Sequence, residues 1–246
     1  MSIPAYNADA IIDKFNNHPE YMIPLMILAM GFGFIQYIYC FFMTRRDGES
    51  PFPIYMHAFY LAHDFLFVTL AHQWFVRYHS LPFQAVWLGM AAFNVFEVYS
   101  LYEAIKHERQ ETFGKYYDEP VTVRQATGWI VAMTVVSFVV LSTVRSFLSD
   151  TLMFCVFIST NVVMAIGPAM QLRARRQRVR GSVGLAFFIV VGTIATFLPQ
   201  GLGMYTTADP EYFARPWFFI LGAVCTMVAL WHLVTVLRLP KPMPAR

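Results

Sequence analysis

The feature that most restricts this chain is a succession of long apolar runs, each near the length needed to cross a bilayer, joined by short polar connections. A crossing helix needs about 20 predominantly apolar residues at about 1.5 Å of rise each. The sequence offers seven such stretches, at about 21–42, 52–74, 81–102, 126–148, 151–170, 183–205 and 216–238. With 57% apolar and only 13% charged residues, too few polar side chains remain to cover a water-soluble domain of 246 residues. The runs contain scattered Gly and Pro and lack the period-two alternation of a membrane β-barrel. The expected fold class is therefore all-α: a polytopic membrane helical bundle of seven transmembrane helices, with residues 1–246 forming a single integral membrane domain. Ile11, Ile12 and Phe15, on one side of the segment Ala10–Phe15, suggest a short interfacial helix before the first span.

Seven spans place alternate connections on opposite sides, so the basic residues report orientation. Of the 18 Lys and Arg, 14 fall in the first, third and fifth connections and the C-terminal tail, and 4 (Lys14, Arg77, Arg145 and Arg215) fall on the other side. This segregation predicts an N-terminus outside and a cytoplasmic C-terminus. The excess charge serves topology and contact with membrane lipids, and no pattern of a DNA- or RNA-binding module is present, so no nucleic-acid partner is expected. Cys40, Cys155 and Cys225 each lie in an apolar run without metal-ligand spacing and are expected as small core residues. A basic n-region and an A-x-A-like cleavage site are lacking, so no cleaved signal peptide is expected.

Within this apolar background the second span carries His57, His63, Asp64 and His72. A carboxylate near the bilayer centre costs roughly 2.5–3.5 kcal/mol on insertion scales, so an intramembrane Asp marks a functional site by default. Asp64 falls near mid-membrane, where its short side chain cannot reach water. His57 lies about 10 Å closer to the cytoplasmic side, and Tyr60 lies between them; offsets of three, four and seven residues put all three on one helix face. His63 points about 100° away. In the third span Asn94 and Glu97 share a face, with Gln36 and His232 at a similar depth to His57 and Glu97, and with Asn161 and Thr193 nearer the middle. These depths permit a pocket of Tyr60, Asp64, Asn94, Asn161 and Thr193 that opens past Gln36, His57, Glu97 and His232.

Structural readings accompany each of these residues. Asn94, Asn161 and Gln36 equally suit interhelical hydrogen bonding. Glu97 lies within snorkelling reach of Arg45 or Arg46, Asp64 within reach of a pair with His63 or His57, and His72 near an interface where it serves as an anchor. Phe59, Tyr60, Phe65, Phe67, Phe93, Phe96 and Tyr99 crowd the two helices that carry the acids. An aromatic-lined apolar pocket suits an isoprenoid chain and stabilises a carbocation through ring faces, and a desolvated carboxylic acid is suited to donate a proton there.

The order of these features resembles the small seven-span membrane-bound terpene cyclases of fungal meroterpenoid and indole-diterpene pathways and their bacterial relatives. Pro51-Phe-Pro53 leads into Tyr60-Leu-Ala-His63-Asp64 as that family's proline-containing entry leads into its Asn-x-x-Trp-Glu pattern. The stretch Arg180-Gly-Ser to Gly192-Thr193 is similar to the family's basic, small-residue entry into the sixth span. Here Tyr60 replaces Asn, His63 replaces Trp and Asp64 replaces Glu, and the last span offers only His232 where the family has a second acid. The resemblance implies protonation-initiated cyclisation of a prenylated or polyprenyl substrate or its epoxide, without metal or other cofactor. Asp64 would be the general acid, assisted by His57 or Glu97 and oriented by His63. Substrate contacts would come from Tyr60, His63, Asn94, Asn161, Phe67, Thr193 and His232. It also implies a lipophilic isoprenoid-type partner and a multi-pass location in a bacterial inner membrane or the endoplasmic reticulum.

Three other classes fit less of the sequence. A proton-coupled carrier would use Asp64, His57 and Glu97 as a relay, and Pro199-Gln200 is similar to the Pro-Gln pair of small-solute carriers, whose second copy is missing from the first half. A di-metal membrane hydroxylase needs His-x-x-His-His clusters that seven histidines, three of them (His18, His79 and His107) in connections, do not supply. A retinal protein needs a Lys in the last span, which has none. The oligomeric state is not encoded in these features.

Overall fold

The computed structural model describes residues 6–48 and 50–240. Every regular element among them is helical: α1 (Ala8–Asn17), α2 (Pro19–Asp47), α3 (Ile54–Val68), α4 (Leu81–His107), α5 (Arg109–Phe113), α6 (Val123–Phe147), α7 (Phe154–Arg175), α8 (Ser182–Thr196), α9 (Met204–Ala208), α10 (Pro210–Phe213) and α11 (Pro216–Arg238). Six helical stretches among the described residues, namely α2, α3 with its continuation to Arg77, α4, α6, α7 and α11, are long and apolar enough to cross a membrane. These make the chain a membrane protein.

Local sequence accounts for the helix ends. Pro19, Pro82 and Pro216 occupy first-turn positions of α2, α4 and α11, where the missing N–H costs nothing. Thr122 and Gln125 close a capping box at the start of α6. Gly48 ends α2 at φ 71°, a left-handed conformation that suits Gly. Several helices outrun their apolar stretches, because Arg and Lys side chains at their ends keep the charge outside the apolar zone. Thus α2 continues to Asp47, α4 to His107 and α7 to Arg175. The expected stretch 183–205 behaves differently. Its helix stops at Thr196 ahead of Leu198-Pro199, the residue before a proline being disfavoured in helix, and the chain turns at Gly201 before α9.

The long helices form a closed ring in the order α2, α4, α3, α6, α7, α11, α8 and back to α2, each packed on the next. The outward faces are apolar: Ile27, Phe42, Leu88, Val95, Val136, Val140, Ile220 and Met227 are all more than half exposed to the surroundings. The polar side chains instead point inward, Gln36, His57, His63, Asp64, Glu97, Thr193, Thr196 and His232 all being buried. This inversion of a soluble protein's pattern is what a hydrocarbon solvent selects. α3 is the most enclosed, with 56% of its apolar window buried against 11% for α6.

Connections gather at two ends. At one, Arg46 donates to the Arg180 carbonyl at 2.5 Å, Arg175 meets Glu108 at 3.0 Å, and Arg178 donates to the Leu239 carbonyl at 2.8 Å. At the other, α1 lies across the bundle with Ile11, Ile12 and Phe15 buried, Phe15 edge-on to Phe83 at 5.1 Å. The apolar side read as interfacial in the sequence therefore packs on protein. Tyr6 donates to Asp150 at 2.5 Å and receives the Leu152 N–H at 2.7 Å, while the second Asp150 oxygen accepts the Val156 N–H at 2.9 Å. Burial pushes the Asp150 carboxyl up from the ordinary carboxylate range, and these donors pull it back. The tail Lys241–Arg246, which carries two of the basic residues counted above, lies outside the described residues.

α2 and α8 approach closely beside the central cavity at Gly192. A Cβ at Gly192 would meet Gln36 Nε2 at 2.7 Å and Phe32 Cβ at 2.8 Å. Gly192→Ala is therefore expected to destabilise the bundle by about 1–3 kcal/mol through overpacking. A lowered thermal unfolding midpoint in detergent checks this; an unchanged midpoint would mean that the two helices do not approach so closely.

Candidate functional site

The ring encloses a cavity of about 80 Å³ between α2, α3, α4, α7 and α8. Its walls are mostly aromatic and thioether: Phe34, Tyr37, Tyr60, Phe93, Phe157 and Tyr205, with Met30, Met90 and Met164. Tyr37 stacks on Phe93 at 4.6 Å and stands edge-on to Tyr60 at 5.0 Å, so α2, α3 and α4 are locked together by rings. The polar groups on the wall are Gln36, His63, Asp64, Thr160, Asn161 and Thr196. Tyr60 donates its hydroxyl to the Thr160 carbonyl at 3.0 Å, and Gln36 donates to the Phe188 carbonyl at 2.9 Å.

Asp64 and His63 form one pair. His63 Nδ1 lies 2.8 Å from Asp64 Oδ1, both side chains are buried, and His63 stands edge-on to Phe157 at 4.9 Å. Asp64 Oδ2 and His63 Nε2 are buried without a hydrogen-bond partner. Few buried polar atoms in a folded protein go unpaired, and a bound water or ligand is one way of satisfying them.

A second polar centre lies about two turns along α3. His57 Nδ1 is 2.5 Å from Glu97 Oε2 on α4, and His57 Nε2 is 2.6 Å from Ser50 Oγ. Ser50 Oγ also accepts the Phe52 N–H at 3.0 Å. Because a carboxylate only accepts, the hydrogen positions assign themselves: Nδ1–H donates to Glu97, and the Ser50 hydroxyl donates to Nε2. Ser50, His57 and Glu97 are each 1% exposed. Beyond Ser50, its N–H donates to Glu108 at 2.8 Å and its carbonyl accepts from Arg175 at 2.9 Å. Burial pushes the Glu108 carboxyl up, while Arg175 and the Ser50 N–H pull it down.

Against the residues expected from sequence, Asp64, Tyr60, His63 and Asn161 do line the cavity, and Gln36, expected at its mouth, is on its wall. Several expectations are corrected. His57 shares a face with Asp64 but pairs with Glu97, since α4 presents that carboxylate beside it. Glu97 therefore does not reach Arg45 or Arg46. Of the two partners expected for Asp64, His57 and His63, it is His63, one residue away and about 100° around the helix, that pairs with it. Asn94 lies off the wall, donating to the Met90 carbonyl of its own helix at 2.8 Å. Thr193 is buried away from the cavity, and Thr196, one turn on, takes that place. Phe67 belongs to the core, stacked on Trp74 at 5.1 Å. His232 is fully buried on α11, which contributes nothing to the cavity wall, and both its ring nitrogens lack partners.

Sequence reasoning missed Tyr37, Phe157, Thr196, Tyr205 and Ser50. Tyr37 adjoins Gln36 in an apolar run and carried no signal of its own. Ser50 lies in the proline-rich entry to α3, where a turn residue is ordinary.

Comparison with protein families, with characterised proteins and with solved structures finds no match to this chain.

The His57–Glu97 bond pins α3 to α4. Glu97→Ala strands the His57 N–H in the interior and is expected to cost about 1–3 kcal/mol. Glu97→Gln, whose amide oxygen still accepts from Nδ1, should cost less. Thermal unfolding of both variants in detergent checks the order; equal midpoints would mean that the bond carries no stability.

Proposed function

We propose that this chain is a seven-span membrane protein, N-terminus outside and C-terminus cytoplasmic, whose central cavity is the active site of a metal-independent terpene cyclase. In this topology α8 and the turn after it complete the seventh crossing. The observation that carries the functional reading is the Asp64–His63 pair on the wall of an aromatic cavity, with one carboxyl oxygen unpaired.

In the proposed reaction a prenylated or polyprenyl substrate enters from the bilayer. Protonated Asp64 donates to an epoxide oxygen or a double bond, breaking its O–H bond as an O–H or C–H bond forms on the substrate. Positive charge then develops on carbon, facing the rings of Phe34, Tyr37, Tyr60, Phe93 and Phe157. His63 holds the second oxygen of Asp64, fixing the direction from which the proton is delivered. The Asp64 carboxylate then takes a proton from the cyclised cation, breaking a C–H bond as its own O–H bond re-forms, and the cycle closes as an isomerisation.

The cavity volume of about 80 Å³ is smaller than a benzene-binding cavity of about 150 Å³. A prenyl chain therefore binds with displacement of wall side chains, and Met30, Met90 and Met164 are unbranched and adaptable enough to move at low cost. The same small volume favours a second reading, a proton-coupled carrier of a small solute, in which Asp64, His57 and Glu97 serve transport. Solute uptake by proteoliposomes in the absence of any prenyl turnover would select it.

General acid catalysis contributes about 10²–10⁴-fold to rate. Asp64→Asn is expected to lower conversion of an epoxidised or prenylated aromatic substrate by membranes carrying the protein by about that factor. Undiminished conversion would remove Asp64 from the acid role.

A further inference from the structure

We propose that the groove between α3, α6 and α7, on the lipid-facing side of the bundle, binds the hydrocarbon chain of the substrate, and that the reacting end of the chain passes Phe59 to reach the cavity. The proposal rests on reading the cavity as the place of reaction. A cavity of about 80 Å³ leaves most of a prenyl chain to be housed elsewhere.

The groove has a volume of about 710 Å³, within the range of about 300–1,000 Å³ usual for small-molecule sites. Tyr55 and Phe59 of α3, Trp129 and Met133 of α6, and Val163 and Met170 of α7 form its sides. Its polar groups are the Tyr55 hydroxyl, the Ser137 hydroxyl and the Trp129 N–H, and the last is already committed to Tyr117 at 2.9 Å. No charged side chain lines it. Only 11% of the apolar stretch of α6 is buried, so the medium that fills this groove is hydrocarbon. From Val162 to Met170 it runs about 12 Å along α7, which suits an extended chain rather than a compact solute.

Its position beside the cavity separates this groove from ordinary lipid contact. The Phe59 ring lies along His63 at 6.3 Å and edge-on to Tyr60 at 5.4 Å, and both of those residues line the cavity. α7 is a common wall: Val162 and Val163 line the groove, Asn161 and Met164 the cavity. One aromatic ring on α3 thus stands between a space that takes a chain and the Asp64–His63 pair. Phe59 is only partly buried, and a rotamer change at this one side chain joins the two spaces. The other apolar groove, lined by Ile27, Leu28 and Ile35, is built from α2 alone.

This division of labour lets a small cavity serve a large substrate. The chain held in the groove supplies binding energy remote from the chemistry, and the cavity has to admit only the reacting double bond or epoxide, positioned against Asp64.

The test is photolabelling. Protein in lipid vesicles is irradiated with farnesol that carries a diazirine at its chain end, and the modified residues are located by mass spectrometry. Labels are expected on Met133 and Val163 in the groove and on Met164 in the cavity, and excess unlabelled farnesol is expected to remove both sets. Ala132→Trp and Ser137→Trp fill the groove from α6; Ala132 is exposed, so its added ring displaces chain rather than protein. Excluding about two chain carbons from burial lowers occupancy about tenfold, and each variant, once shown to keep the native unfolding midpoint, is expected to reduce groove and cavity labels alike by that factor. Labels that excess farnesol does not reduce, or that fall equally on Ile27 and Ile35, overturn the site as ordinary lipid contact. Cavity labels that are missing from the native protein, or that persist in both filled variants, overturn the route past Phe59. Competed labelling of groove and cavity in a protein that cyclises no prenyl substrate would overturn the cyclase and keep the chain site. Asp64-dependent conversion that is unaltered in both filled variants would do the reverse.

Discussion

In a hydrocarbon solvent a polar side chain must find its partner inside the protein, and here four buried ionisable groups, His57, His63, Asp64 and Glu97, impose that demand on two neighbouring helices. α3 carries three of them and is the helix most enclosed by its neighbours. α4 supplies the acid for His57, α2 and α4 supply the ring stack of Tyr37 and Phe93 against Tyr60, and α7 supplies Phe157 and the Thr160 carbonyl. The ring of helices thus turns the polar face of one of its members inward and leaves its apolar faces to lipid.

The two His–acid pairs along α3 differ at the imidazole, while Glu97 Oε1 and Asp64 Oδ2 are alike in being buried without a hydrogen-bond partner. His57 has both nitrogens satisfied and sits in a dense bonded group that includes Ser50, with Glu108 and Arg175 beyond. His63 and Asp64 each keep one polar atom unpaired at the edge of an open space. A histidine bonded at both nitrogens is held in one orientation, whereas His63 lies on the cavity wall with Nε2 unpaired. The cavity beside the second pair is walled by rings and flexible thioethers, which offer a cation electron-rich faces and a substrate adaptable shape.

Much of the fold was legible. Length and apolarity marked the long helices, because bilayer thickness sets the length of a crossing element. The capping box at Thr122, the first-turn prolines and the left-handed Gly48 punctuate helices by chemistry that acts within a few residues. The early end of α8 was legible too, in Leu198-Pro199, but was overridden by reading the apolar run to its full length. In the site, Asp64 stood out because a short carboxylate at mid-span cannot reach water, and Tyr60 and Asn161 followed from depth. His57 as the partner of Asp64, and Asn94, Thr193, Phe67 and His232 as contacts, did not hold. Helical periodicity states which residues share a face but not which neighbour that face meets.

The sequence by itself therefore determined the class of architecture and singled out Asp64 as a mid-span acid, because the penalties for exposing backbone or charge to lipid depend only on residue type and depth. Only the tertiary structure decided the pairing. The rotation of α4 brought Glu97 to His57 and so left Asp64 to His63. The close approach of α2 and α8 at Gly192 put Gln36 and Tyr37 on the cavity wall. The turn before α3 folded Ser50 back onto His57. Those contacts arise between segments far apart in the chain, and their geometry is fixed by how helices rotate and pack, which no local pattern records.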